Sequence, residues 1–549
     1  MIAVENLWKA FYDERRGSIV VAIENVTFEI PRGQFVCIVG PSGCGKSTLI
    51  RILAGLEQAT AGHTDTGERN ASRPPAMVFQ EASLFPWLTV EDNVAYPLRL
   101  QGVGKAARGE RTQPLLEMTN LGGFSHAYPH QLSGGMKQRA SVARALIDDA
   151  SDLLLMDEPF GALDEQTRIG LQQELLRIWD QSKKTVIFIT HSVEEALSLA
   201  DRVLVMSARP GRIVADIEVP FARPRNVLAL RREPAFGELT FKIWQLLKHD
   251  EAAAEIGKIA EPSAATETMA ARITVPQPPA AGSGALDPAS LEALVRPPAR
   301  DKILQVLGMF SPLLVLLVWE ALTRSGALDF RFFPAPSAIF ETFWQLVTSG
   351  TLLTDTLATA ARVAIGFAMG AVPALALGLV LGLWRVPRLI LNPIFSALYP
   401  VPKIAIFPLL LLLLGVGEMS KYVLIAVVAF FLVFFNTLTG VLQIPRIYLD
   451  VAKNAGASQL QLFGTVAWPA ALPGIFTGLR LAIGTAFVVI AAVEFVGAKS
   501  GLGYAIWSAW QTFAVEKMYV GIVAISAVGY LSILLIDLVE RLTMPWVRQ

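Results

Sequence analysis

Gly40-Pro41-Ser42-Gly43-Cys44-Gly45-Lys46-Ser47, continued by Thr48, decides the reading of this chain. The stretch fits the G-x-x-x-x-G-K-[ST] phosphate-binding pattern. An apolar run, Phe35-Val36-Cys37-Ile38-Val39, precedes it, and the helix-like Ser47-Thr48-Leu49-Ile50-Arg51-Ile52-Leu53 follows. Strand, loop and helix in that order are the setting the motif needs. The glycines let successive backbone N–H groups turn inward around phosphate oxygens, and the helix start adds partial positive charge. Lys46 is placed to reach the β- and γ-phosphates of a nucleoside triphosphate, and the Ser47 hydroxyl to ligate Mg²⁺.

At 549 residues the chain exceeds a single core and divides into at least two domains. Lys+Arg and Asp+Glu both number 47, so charge points to no nucleic-acid partner. The balance hides an asymmetry: charges are dense up to about residue 300 and sparse beyond. Both cysteines, Cys37 and Cys44, fall in the strand and loop above, which fits a reducing compartment. The opening Met1-Ile2-Ala3-Val4-Glu5 has no basic-then-apolar pattern and reads as no secretory signal.

Residues 1–250 alternate short β-rich runs with helical stretches and predict an α/β domain. Residues 251–298 turn rich in Ala and Pro, as in Val275-Pro276-Gln277-Pro278-Pro279, and read as a linker. Residues 299–549 predict an all-α membrane domain of six helical spans, 303–323, 363–384, 394–415, 421–443, 475–496 and 519–540. Each is close to the ~20 residues that cross a bilayer, although Pro400, Pro402 and Pro408 interrupt the third. Phe333-Pro334-Ala335-Pro336-Ser337 opens an amphipathic segment between the first two. Arg385, Arg388, Arg446, Lys453, Arg541 and Arg548 favour an inward-facing side, with Arg324, Arg331 and Lys499 weakening the bias. Arg480, Glu494 and Glu320 fall near span ends, where snorkelling into the interface suffices. Lys403 lies deeper and is the better pathway candidate.

Further motifs follow the loop in order. Leu132-Ser133-Gly134-Gly135-Met136-Lys137-Gln138-Arg139 resembles the L-S-G-G-x-x-x-R signature of the ABC ATPases. Leu153-Leu154-Leu155-Met156-Asp157-Glu158 is similar to their Walker B strand, Gly161-Ala162-Leu163-Asp164 to their D-loop, and Thr190-His191 to their switch histidine. Gln80, in Val78-Phe79-Gln80-Glu81, stands where the family has its Q-loop glutamine. The resemblance implies that Asp157 holds Mg²⁺, Glu158 is the general base, His191 keeps water and base in line, and Gln80 senses the metal. It implies that Ser133, Gly134 and Gly135 act on the ATP of a second copy, and that Asp164 is the D-loop aspartate. Phe11 or Tyr12 would stack on adenine, the Lys9-Ala10-Phe11 spacing favouring Phe11. In place of the family's apolar strand before Gln80, Thr60 to Asn70 is polar and β-poor, so a truncated or irregular local sheet is expected there.

Asp450-Val451-Ala452, then Gly456, then Val466-Ala467-Trp468-Pro469, resembles the cytoplasmic coupling loop of ABC importer permeases, with Asp for Glu and Trp for Leu. Such a loop docks into a groove on the ATPase. Gly456 is expected to allow close backbone contact there, and Pro469 with Pro473 to bracket the turn into the fifth span. Phe332 to Ser337, Val401-Pro402-Lys403-Ile404-Ala405 and Arg209-Pro210-Gly211-Arg212-Ile213 are similar to the nitrate/sulfonate/taurine import family. The resemblance implies an α/β P-loop ATPase fused to a type I importer permease. Its implied partners are ATP, Mg²⁺, membrane lipid, a second copy of the chain and a separate solute-binding protein. An exporter, or a tethered ATPase regulating a partner, is the alternative, and the domain order and the coupling loop weigh against the exporter.

Overall fold

The computed structural model describes residues 1–13, 17–66, 74–148, 151–161, 164–258 and 299–547. Two compact units divide the chain: Met1–Pro262 with Gly440–Leu472 and Arg541–Gln549, and Ser263–Thr439 with Pro473–Glu540.

The first unit holds two sheets. β1 (Ile2–Asp13), β2 (Ser18–Ile30) and β4 (Ala61–Asp65) form one, in the order β2-β1-β4. β3 (Phe35–Val39), β5 (Ala76–Val78), β6 (Leu153–Asp157), β7 (Thr185–Thr190), β8 (Arg202–Met206) and β9 (Ile213–Glu218) form the other, in the order β5-β6-β7-β3-β8-β9. β3, β6 and β7 are buried throughout, their apolar runs, ended by Asp157 in β6 and flanked by Thr185 and Thr190 in β7, being those of parallel strands covered on both faces. β3 runs parallel between β7 and β8, so its carboxyl end opens onto the glycine loop.

The polar stretch after Thr60 forms a strand despite its composition. β4 pairs antiparallel with β1, its side chains mostly exposed, so the ladder and not an apolar face holds it. The ladder is irregular, with a register shift between Glu5 and Trp8. Residues 67–70 of that stretch lie outside the described residues. The last ATPase helix, Pro234–Lys258, runs past residue 250, where the linker was expected to begin; residues 259–298 of that linker lie outside the described residues.

In the second unit, helices Ala299–Arg324 and Pro336–Thr348 stand where the first span and the amphipathic segment were expected. Among the described residues, four helices are long and apolar enough to cross a membrane: Thr351–Leu383, Glu418–Leu442, Gln459–Gly497 and Val515–Thr543. The third expected span is not one helix. Arg385–Leu398 and Lys403–Leu414 meet at 85°, broken where Pro400 and Pro402 remove backbone donors. Pro469 and Pro473 bracket no turn. The chain is helical from Gln459 to Gly497, with a π-helical stretch Phe463–Ala467, and both prolines lie inside that run.

The expectation of a snorkelling charge is overturned for Glu494. Glu494 is wholly buried, accepting from Arg362 Nη1 at 2.7 Å, Thr359 Oγ1 at 2.9 Å and the Gly503 amide at 2.8 Å. Arg362 also grips Glu418 with Nε at 2.6 Å and Nη2 at 2.9 Å. A carboxylate so deep is stable only when paired and hydrogen-bonded. Gly501, at φ 115°, passes so close that a Cβ would lie 2.5 Å from Glu494 Oε1. Arg480 bonds Asp537 and Glu540, and Glu320 accepts from Arg324 and Ser337. Arg331 and Arg324, which weaken the positive bias, are each neutralised by a neighbouring carboxylate. Lys403 donates to the Tyr399 carbonyl and lies over the Tyr399 and Phe431 rings.

Candidate nucleotide cleft and coupling surface

Geometry at the end of β3 is set by glycine. Gly43 and Gly45 sit at φ 77° and 103°, in the left-handed region that favours glycine. A Cβ at Gly45 would stand 2.8 Å from the Ala22 carbonyl of β2. Lys46, 5 % exposed, turns back and donates to the Gly40 and Pro41 carbonyls at 2.7 and 2.9 Å, tying the loop into a ring. Cys44 is buried beneath it, its thiol pushed up chiefly by burial, and Cys37 is free and buried in β3. Ser47 opens the helix Lys46–Leu53 and donates to Asp157 Oδ1 at 3.1 Å.

Asp157 ends β6. Burial raises its carboxyl to about 6, with the Ser47 hydrogen bond opposing and the Glu158 charge adding. Glu158 follows at φ 45°, a conformation unusual for a side-chain-bearing residue, pinned by its amide on the Ile189 carbonyl at 3.0 Å. Its Oε2 accepts from Gln80 Nε2 at 3.3 Å and meets His191 Nδ1 at 3.3 Å. Lys46, Ser47, Gln80, Glu158 and His191 line one cleft of about 530 Å³ with Phe11, Ser42, Gly43, Gly45, Thr48 and Arg209. Phe11 is in that lining, and Tyr12 is not.

Ser133 and Gly134 are exposed, and they are not part of this cleft, nor is Gly135. Ser133 caps the helix Gly134–Leu146, accepting from the Met136 amide. Asp164 caps Glu165–Ser182, and the Thr167 amide it accepts from holds its carboxyl below the usual range. Ala162 and Leu163 lie outside the described residues.

Two residues escaped the sequence reading, Arg209 in the cleft and Glu195 behind the end of β7. Glu195, in the first turn of Val193–Leu199, accepts from Gln172 Nε2 at 2.7 Å and from Thr190 Oγ1, fixing the end of β7 from which His191 projects. Burial raises its carboxyl. Its signal was the acidic pair after the cap Ser192, which also reads as ordinary helix-start chemistry. Arg209 was quoted only as part of a family string.

The segment 446–467 folds within the first unit, on the ATPase. Helix Arg446–Asn454 presents Tyr448, Val451 and Ala452 at helical spacing, the last two buried. Asp450 accepts from Arg51 Nη2 at 2.7 Å. Asn454 accepts from the Met77 amide at 3.1 Å and donates to the Pro75 carbonyl at 2.8 Å, at the edge strand β5. Trp87 Nε1 donates to the Thr465 carbonyl at 2.9 Å, and Tyr96 shares a hydrogen bond with Thr465 Oγ1 at 2.8 Å. Gly456 does not work by close contact: a Cβ there would meet nothing within 4 Å. Its φ of 83° ends the helix, its amide on Lys453 O and that of Ala457 on Ala452 O, as a Schellman cap requires. The close contact belongs to Asn454.

Residues 23–161 match the family model described as ABC transporter, and residues 374–549 that of the binding-protein-dependent transport system inner membrane component. An uncharacterized ABC transporter ATP-binding protein of Methanocaldococcus jannaschii is 46% identical over 252 residues, 45% of this chain and 92% of its own. The aliphatic sulfonates import ATP-binding protein of Bacillus anthracis is 43% identical over 251 residues, 45% of this chain and 96% of its own. The taurine import ATP-binding protein of Rhizobium johnstonii is 45% identical over 248 residues, 44% of this chain and 94% of its own. A dimeric bacterial ABC transporter cassette of known structure is 31% identical, covering 40% of this chain and all of that one, with a TM-score of 0.37.

Proposed function

We propose that this chain, which belongs to the ABC transporter family and uses its own ATPase to drive import, carries a small sulfonate such as taurine or an alkanesulfonate. It is a multi-pass inner-membrane protein with its ATPase in the cytoplasm. The sulfonate reading rests on the names of its relatives. Coupling rests on one observation: the 446–467 segment, from the matched permease region, is seated on β5 by Asn454, three residues ahead of Gln80 at the cleft.

In this reading Lys46 and the loop amides hold the triphosphate of ATP, and Phe11 stacks on its base. The Ser47 hydroxyl and the desolvated Asp157 carboxylate, 3.1 Å apart, are hard oxygen donors that suit Mg²⁺. Among the described residues no cluster of three His, Cys, Asp or Glu could hold an ion alone. An ion completing its shell with phosphate and water therefore fits, and it would neutralise charge on the β- and γ-phosphates. Glu158 takes the proton of the attacking water, with His191 and Gln80 fixing its Oε2. Ser133, Gly134, Gly135 and Asp164 serve the ATP of a second copy, the working form being a homodimer fed by a separate solute-binding protein. Six crossings per chain, counting the four long apolar helices, the bent pair as one and Ala299–Arg324 as the first, complete the permease.

The test is uptake in proteoliposomes with ATP sealed on the ATPase side and a sulfonate-binding receptor on the other. Labelled taurine or an alkanesulfonate should accumulate, and the Glu158→Gln chain should accumulate none while still binding ATP. Entry of an unrelated solute with neither sulfonate transported would discard the substrate class.

A further inference from the structure

Arg209 belongs to a string, Ser207-Ala208-Arg209-Pro210-Gly211-Arg212, that no step above uses. This string joins β8 to β9 and folds as a tight, self-bonded loop. The Ser207 amide donates to the Arg212 carbonyl at 2.9 Å, and the Ser207 hydroxyl accepts from the Arg212 amide at 2.8 Å. The loop is wedged into the nucleotide site through backbone. The Gly211 amide donates to the Ala22 carbonyl, and the Glu24 amide to the Gly211 carbonyl, each at 3.0 Å. A Cβ at Gly211 would lie 2.0 Å from the Cys44 carbonyl of the phosphate loop, so only glycine fits between them.

The two arginines of the string are used differently. Arg212 reaches back to Glu24 Oε1 at 2.7 Å and is spent in an ion pair. Arg209 lines the cleft, exposed, with Nε donating to the Gly43 carbonyl at 3.3 Å, and it makes no ion pair among the described residues. That one bond aims the guanidinium at the lip of the phosphate loop and, among the described residues, leaves its remaining N–H donors unused. Lys46 is turned inward onto loop carbonyls, whereas Arg209 faces solvent at the mouth. A triphosphate brings more negative charge than Lys46 and one divalent ion neutralise, and the cleft also contains Glu158, with Asp157 bonded to its lining residue Ser47. A planar guanidinium matches phosphate oxygens two at a time.

We propose that Arg209 is a second cationic ligand for the polyphosphate chain of the nucleotide, held at the lip of the phosphate loop by the wedged Gly211 turn. The inference rests on the nucleotide cleft alone and is independent of the sulfonate reading. Arg209 captures phosphate oxygens from the solvent side while Lys46 takes them from within. Discrimination between triphosphate, diphosphate and monophosphate is thereby steeper than Lys46 alone would give.

The experiment is competition binding of ATP, ADP and AMP to the full chain in detergent, for the parent, Arg209→Gln and Arg209→Lys. Arg209→Gln should weaken ATP by about tenfold, the value of a charge-assisted hydrogen bond, ADP by less, and AMP by under about twofold. Arg209→Lys keeps the charge but loses the fork and the Gly43 bond, and should recover part of the ATP affinity. ATP affinity within about twofold of the parent in Arg209→Gln would overturn the proposal. So would equal losses for ATP and AMP, which would place Arg209 on the base or ribose. Equal losses in the Gln and Lys variants would overturn it too, since the Gly43 bond and not the charge would then be what matters.

Discussion

Asp157 shows at the scale of one residue how the cleft trades stability for chemistry. An ordinary aspartate ionises near ~3.9, while burial raises this one to about 6. Below pH ~4 the folded and unfolded chains both hold the proton, and the group contributes nothing. As pH rises from there to about 6, the unfolded chain gives up its proton and the folded one resists. Native stability therefore falls through that window, by at most about 3 kcal/mol, and the full penalty stands above it. Asp157→Asn keeps an acceptor for Ser47 and removes the charge. The nucleotide-free variant should melt above the parent at pH 7.5, with the gap closing towards pH 4. Thermal melts across that range check it; a gap that does not change with pH would remove desolvation as the cause. The strained backbone of Glu158 belongs to the same trade, an unfavourable conformation kept where a carboxylate must point at Gln80 and His191.

The informative element is the helix Arg446–Asn454. Its amphipathic spacing and the glycine two residues past its end were both readable in the sequence, but the task given to Gly456 was wrong. Nothing crowds Gly456, and its backbone conformation is what the helix end demands. Asn tolerates the left-handed region and a β-branched residue does not. Gly456→Asn should thus keep most of the ATP-driven uptake, and Gly456→Val should lose much of it, with the strain costing about 1–2 kcal/mol. Paired ATPase and uptake rates in the same vesicles decide this. Equal damage from both would return the residue to a contact role. Asn454 went unnoticed because an asparagine at a helix end usually reads as a local cap. Here both its polar atoms serve Pro75 and Met77, partners more than 370 residues away in sequence.

At the scale of the whole molecule, one set of groups lines the cleft, while Ser133, Gly134 and Gly135 lie outside it, the first two exposed. If two copies complete each other's sites, two differently broken chains repair one another. Lys46→Ala and Gly135→Asp homodimers should each fail to hydrolyse ATP. A heterodimer isolated on two tags combines both lesions in one site and leaves the other intact, so about half the parent rate should return. A dead heterodimer that is still folded would argue against the composite site.

The sequence by itself determined the phosphate loop, the two carboxylates at the end of β6, the signature string and the apolar permease helices. Each of these is a short string whose chemistry lies in its own spacing on a strand, loop or helix. Tertiary structure alone decided that Arg209 stands at the lip of the cleft, that Glu195 props the strand end before His191, and that Glu494 is locked to Arg362. It also decided that the third expected span is bent at 85°, since prolines mark a break and not its angle. Each of those three contacts is made by a side chain whose partner is set by how elements cross. Arg362 and Glu494 are 132 residues apart, and no local periodicity records that they meet.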